Sequence, residues 1–149
     1  MQSLATKAFL LMLMSASVVA ATAENRHVRL KSRDAKDERP FSDAVRVGQT
    51  LYLAGRIGLD PATNKPPADA AAEVRTVMDQ IKAVLAQEGM SMDDLVTVTV
   101  YCTDLGLYGT FNDVYRTYFT KGFPARAFIG SGPLLAGGRF EVQGIAVKQ

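Results

Sequence analysis

The residues best equipped for chemistry stand toward the C-terminal end of the chain. Arg126 follows Phe123-Pro124-Ala125 and precedes Ala127-Phe128-Ile129, and Glu141 opens the run Glu141-Val142-Gln143-Gly144-Ile145-Ala146-Val147. A guanidinium presents a planar fork that meets a carboxylate through two parallel hydrogen bonds. An arginine at the mouth of an apolar strand therefore has two readings. It is paired inside the protein, with Glu141 the nearest carboxylate by chain order, or it waits for an external anion. Glu141 also has two: a strand-edge carboxylate facing solvent, or a carboxylate with a role at a site. Asn112 can hydrogen-bond at such a site or cap a helical turn, and the structural role is the favoured one.

The elements that must position these groups can be read from pattern. Pro124 fixes its own φ and biases Phe123 toward extended geometry, so a strand begins near Arg126. Ala44 to Val47 and Thr50 to Gly55 alternate around Gly48-Gln49 and read as a hairpin. Asp69 can cap a helix in which Val74, Val77, Met78, Ile81, Val84 and Leu85 recur at helical spacing, with Gly89 ending it. Leu95 to Tyr101 is a strand by propensity and alternation, with Val96, Val98 and Val100 on one face. Tyr108, Phe111, Val114, Tyr115, Tyr118 and Phe119 give a second helical stripe. The order strand, strand, helix, strand, helix, strand, strand predicts an α+β fold: a single mixed sheet with two helices packed on one face. The second face of the Leu95–Tyr101 strand is neither fully polar nor fully apolar, as a symmetric oligomer would require.

Composition removes several classes. A chain of 149 residues, 48% hydrophobic and 21% charged, can bury a core, and a formal net charge of +2 predicts no nucleic-acid binding. One cysteine, Cys102, and one histidine, His27, cannot cluster into a zinc site, so neither a metal nor a cofactor is expected. Cys102 closes a strand-like run and reads as a buried thiol. A Ser-His-Asp triad would need His27, which lies in a polar N-terminal arm, residues 24–39, where Val28 and Leu30 could pair as an edge strand and the rest reads as solvated. Ahead of the arm, Lys7, an apolar run from Ala8 to about Ala20, and Ala21-Thr22-Ala23 have the form of a secretory signal peptide, residues 1–23. Its removal leaves 16 basic and 15 acidic side chains, no membrane attachment, and a periplasmic or secreted protein made of the arm and one domain, residues 40–149.

Several of these stretches together resemble the RidA (YjgF) family: Pro40-Phe41-Ser42-Asp43-Ala44-Val45, Ala54-Gly55-Arg56-Ile57, Asn112-Asp113-Val114-Tyr115, Phe123-Pro124-Ala125-Arg126 and the final Glu141–Val147 run, in that order. The resemblance implies a chorismate-mutase-like fold assembled as a homotrimer, with sites in the clefts between subunits. It implies that Arg126 binds the carboxylate of a small 2-imino or enamine acid, and that Glu141 positions or activates the water that attacks the imine carbon. Phe41, Gly55, Arg56, Phe128 and Asn112 would line the substrate site. Deaminase members commonly carry tyrosine where Phe41 stands, Ser-Gly-Gln where Ala54-Gly55-Arg56 stands, and Ser-Cys where Ala127-Phe128 stands. Arg56 then adds a second cation near the pocket, and Phe128 narrows or reshapes it. RNA cleavage, sometimes attributed to the family, finds no basic groove, metal cluster or folded-core histidine in this sequence. Two functions follow: an imine/enamine deaminase giving a 2-oxo acid and ammonia, or a non-catalytic small-carboxylate-binding or holdase-like protein on the same trimeric scaffold.

Overall fold

A computed structural model of the chain describes residues 24–30 and 38–148. The expected leader, residues 1–23, lies outside them. The strands are β1 (Asn25–Val28), β2 (Ala44–Val47), β3 (Thr50–Ile57), β4 (Leu95–Cys102), β5 (Ala125–Gly130) and β6 (Phe140–Val147), and the helices are α1 (Ala70–Gln87) and α2 (Tyr108–Tyr115). They form one six-stranded sheet in the order β1-β2-β3-β6-β4-β5. All neighbours are antiparallel except β4 and β5, which run parallel. A parallel pair needs a crossover, and α2 supplies it.

Helix α1 begins where the sequence places it. Asp69 accepts a hydrogen bond from the Ala72 N–H at 2.9 Å, and Gly89, at φ +66°, lets Met90 N–H reach back to the Leu85 carbonyl. Its stripe of Val74, Val77, Met78, Ile81, Val84 and Leu85 is fully buried, in one core with Leu51 and Leu53 of β3, Val98 and Val100 of β4, and Phe140 and Val142 of β6. Phe111 of α2 fills the same core. Both helices therefore cover one face of the sheet. Among the described residues, nothing is layered over the other face, which carries Tyr52, Thr97, Thr99, Tyr101, Gln143 and Ile145, and Tyr52 and Ile129 stand more than 40% exposed on it.

The N-terminal arm does contain an edge strand, set earlier than Val28 and Leu30 alone suggest. Residues Asn25–Val28 pair with Ala44–Val47 and extend the sheet by one strand. Two arginines, Arg26 on β1 and Arg46 on β2, converge on the buried carboxylate of Glu88 at the end of α1. Gln87 adds a bond to the Arg29 carbonyl at 2.8 Å. His27 thus sits in a strand, its Nδ1 3.2 Å from Ser42 Oγ. Among the described residues, no carboxylate pairs with its other ring nitrogen, so a triad lacks its third member.

Candidate active site

Register decides which face each candidate residue occupies. Arg126 and Phe128 on β5 pair with Val98 and Val100 of β4, which point into the core, so both side chains lie on the helix-covered face. Glu141 and Gln143 on β6 pair with Tyr101 and Thr99, on the bare face. Arg126 and Glu141 therefore lie on opposite sides of the sheet, with β4 between their strands. The internal Arg126–Glu141 ion pair is excluded within one chain.

Arg126 sits at the open edge of the sheet beneath α2. Its Nη2 donates to Asn112 Oδ1 at 2.7 Å, so Asn112 orients the guanidinium rather than only serving its own helix. Four rings surround the cation: Tyr115 with its centroid 4.6 Å from Cζ, Phe128 at 5.7 Å, and Tyr108 and Phe111 each at 5.8 Å. Ring faces carry negative charge density and favour a cation without neutralising it. Among the described residues, no carboxylate lies within ion-pair distance of Arg126. A half-buried guanidinium held by an amide and aromatic faces retains its net charge for an incoming anion. Phe128 does not stand free in a pocket; it packs edge-on against Tyr108 at 4.9 Å and against Phe111 at 5.4 Å.

Glu141 lines a cleft of about 830 Å³ with Phe41, Gly55, Arg56, Ile57 and Leu135. Gly55 lies where the β3–β6 register shifts, and a Cβ added there would stand 2.1 Å from Glu141 Oε1. Only a glycine leaves room for the carboxylate in this position. Phe41, 48% exposed, stands on the shared rim of this cleft and a shallower one of about 480 Å³ beside His27 and Ser42. Arg56 lines the cleft, but its Nη2 is 2.5 Å from Asp43 Oδ1 and both groups are buried. Asp43 also accepts from the Leu30 N–H at 2.8 Å and ties the segment carrying Phe41 onto β3. Within the chain, then, Arg56 acts as a wall braced by Asp43.

Two structural residues carry the site: Glu73, which shows no sequence signal, and Tyr115, which the sequence marks only as part of a helical stripe and a motif. Glu73, in the first turn of α1, is fully buried. Its Oε1 accepts the backbone N–H groups of Arg139 and Phe140 at 2.7 and 3.1 Å, and its Oε2 accepts Arg139 Nε at 2.6 Å. That clamp fixes the start of β6 next to Glu141. Tyr115, 3% exposed, offers its ring to Arg126, and burial pushes its phenol up to about 12 against a partly offsetting pull from the cation. Cys102 is buried, as expected from its place at the strand end, and burial raises its thiol pKa. Among the described residues, no group of three or more His, Cys, Asp or Glu side chains is arranged to hold a metal ion.

The Endoribonuclease L-PSP family model matches residues 32–148. The chain belongs to the RidA/YjgF family. This RidA-family chain is 38% identical over 110 residues, 73% of its length and 80% of the relative's, to the 2-iminobutanoate/2-iminopropanoate deaminase of Bos taurus. It is 41% identical over 112 residues, 73% of its length and 86% of the relative's, to Protein DfrA of Myxococcus xanthus. The YjgF gene product from E. coli superposes with a TM-score of 0.75 at 30% identity, covering 83% of this chain and 99% of that one. The single mixed sheet with two helices matches RidA/YjgF structural neighbours.

Proposed function

We propose that this chain is a metal-independent imine/enamine deaminase whose site forms between subunits of a homotrimer. The observation that carries the reading is the placement of Arg126 and Glu141 on opposite faces of the sheet, with Arg126 at an edge and lacking a carboxylate partner. One chain cannot bring them together, whereas a second copy docked on the bare face can set its Arg126 beside the first copy's Glu141. Relatives named 2-iminobutanoate/2-iminopropanoate deaminase at 34–38% identity support the reaction class.

In this reading the Arg126 fork holds the carboxylate of a protonated 2-imino acid and thereby aims the imine carbon at the Glu141 cleft. That carbon is already electrophilic, so little further activation is needed. Glu141 takes a proton from water as the water oxygen bonds to the carbon and the C=N π pair moves onto nitrogen. The same carboxyl returns the proton to the amine of the resulting carbinolamine. The C–N bond then breaks, releasing ammonia, and the remaining hydroxyl proton is lost as the 2-oxo acid forms. A non-catalytic carboxylate-binding or holdase-like role on the same scaffold is less well supported, because Glu141 is seated over Gly55 in a cleft rather than left at an open edge.

The test is complementation between subunits. Arg126→Ala and Glu141→Gln homotrimers should each release little ammonia from imines made in situ by an amino-acid oxidase. Co-refolded in equal amounts, they should regain about one quarter of wild-type activity, since a random interface joins both intact residues with that probability. Light scattering should give three times the chain mass, and EDTA should leave activity intact. Absence of complementation between two folded, trimeric variants would refute the shared site. The Lys7-to-Ala23 leader supports export of the same enzyme to the periplasm or medium, and intact mass from a secreting host should then begin at Glu24.

A further inference from the structure

We propose that the Tyr108 hydroxyl is a second carboxylate donor of the site, acting beside Arg126 on the same substrate group. This rests on the deaminase reading of Arg126. Tyr108 is the first residue of α2 and is 48% exposed, unlike Phe111 and Tyr115 further along the same stripe, which are buried. Its ring is not loose. Phe128 meets it edge-on at 4.9 Å and an interplanar angle of 89°, and Arg126 Cζ lies 5.8 Å from its centroid. The bulk of Phe128 thus serves to stand the Tyr108 ring beside the guanidinium.

Asn112, one helical turn on, determines what the hydroxyl can do. Its Oδ1 is taken by Arg126 Nη2 at 2.7 Å, so what it offers Tyr108 is an amide N–H. The hydrogen bond from Asn112 holds the Tyr108 phenol below the usual tyrosine value, with the Arg126 cation adding to the effect. With its oxygen accepting from the amide, the phenol keeps its own proton to donate outward. Asn112 holds the guanidinium one helical turn from Tyr108, so the two donors, guanidinium and phenol, stand side by side at an edge open to solvent. A carboxylate has two oxygens and about four acceptor positions, enough for both. The arrangement fits a small 2-imino, 2-oxo or simple carboxylic acid.

Tyr108→Phe keeps the ring against Phe128 and removes only the hydroxyl. Calorimetry on the intact trimer with pyruvate, and separately with propanoate, should show Kd raised about ten-fold for both, the fold-change of one hydrogen bond to a charged group. The equal loss follows because the contact is to the carboxylate common to both ligands. In turnover of the imine made from alanine, KM should rise with kcat nearly unchanged. A pH profile supplies a readout that packing alone would not move. The charges acting on the phenol are Arg126 from β5 and Arg116 just past the end of α2, and the other tyrosine beside Arg126, Tyr115, ionises only near 12. The neutral phenol donates; the phenolate cannot, and repels a carboxylate. Wild-type affinity should therefore fall as pH rises toward 10, and the variant should lack that fall. Unchanged Kd in Tyr108→Phe, with binding lost in Arg126→Ala, would overturn this inference and leave the deaminase reading standing. A lower Tm or broken trimer in Tyr108→Phe would make the hydroxyl structural and overturn it too. Failure of wild type to bind either acid or to turn over the imine would remove the deaminase reading, and this inference with it.

Discussion

Replacing Glu73 should unfasten the start of β6 and, with it, the strand that carries Glu141. In the native chain one buried carboxylate accepts the N–H groups of Arg139 and Phe140 and the Arg139 guanidinium. Glu73→Ala strands both backbone donors, and the Phe140 bond is fully buried. Each unsatisfied donor costs about 1–3 kcal/mol, so the pair costs about 2–6. The guanidinium is 28% exposed and can recover water, so its loss adds less than that of a sealed ion pair. A central value is about 4 kcal/mol, a large share of the 5–15 kcal/mol that holds a domain together. For a chain of this size that is on the order of 10–20 °C in Tm. Glu73→Gln retains one acceptor but turns an amide donor toward Arg139 Nε, so roughly half the loss is expected. Thermal unfolding by circular dichroism measures both, with ammonia release followed on the folded fraction. A Glu73→Ala Tm within a few degrees of wild type would refute the view that this carboxylate anchors the strand.

Other outcomes follow from the site. Arg126→Ala should weaken binding of small carboxylates by on the order of 10- to 150-fold in calorimetry, with Tm little changed because no buried carboxylate of its own chain is stranded; Arg126→Lys should recover only part. Unaltered binding would make Arg126 a purely structural cation. Gly55→Ala would put a Cβ 2.1 Å from Glu141 Oε1, so the carboxylate must swing away. A misplacement of about 1 Å costs roughly 10²-fold in turnover, and the ammonia assay should show that loss without a change in oligomeric state. The Tyr115 phenol is raised from 10.0 to about 12 by burial, so its contribution is full below pH 10 and is lost as pH climbs from 10 to about 12. The amount is about 2–3 kcal/mol. Urea unfolding of wild type should therefore lose stability over that window, and Tyr115→Phe should lose less; Tyr118, raised by burial and by Asp79, contributes with the same sign in both. Equal slopes would disprove the assignment.

Much of this protein was determined by sequence alone. The α1 stripe with its Asp69 cap, the alternation of β4, and the proline ahead of Arg126 are local patterns, because helical and strand periodicities are properties of a few adjacent residues. The ordered motifs likewise named the family and its arginine and glutamate. What tertiary structure decided is everything that depends on phase between elements. Alternation says that Arg126 and Phe128 share a face, but only the pairing of Arg126 with Val98, and of Glu141 with Tyr101, shows that arginine and glutamate face opposite ways. Sequence allowed an edge strand about Val28 and Leu30 in an otherwise solvated arm, yet the strand is Asn25–Val28, because Glu88 lies 62 residues along the chain from Arg26 and only the fold brings them into contact. Glu73 was invisible for the same reason. A carboxylate is excluded from an apolar stripe by type, and its burial becomes favourable only when the distant backbone of Arg139 and Phe140 delivers donors to it.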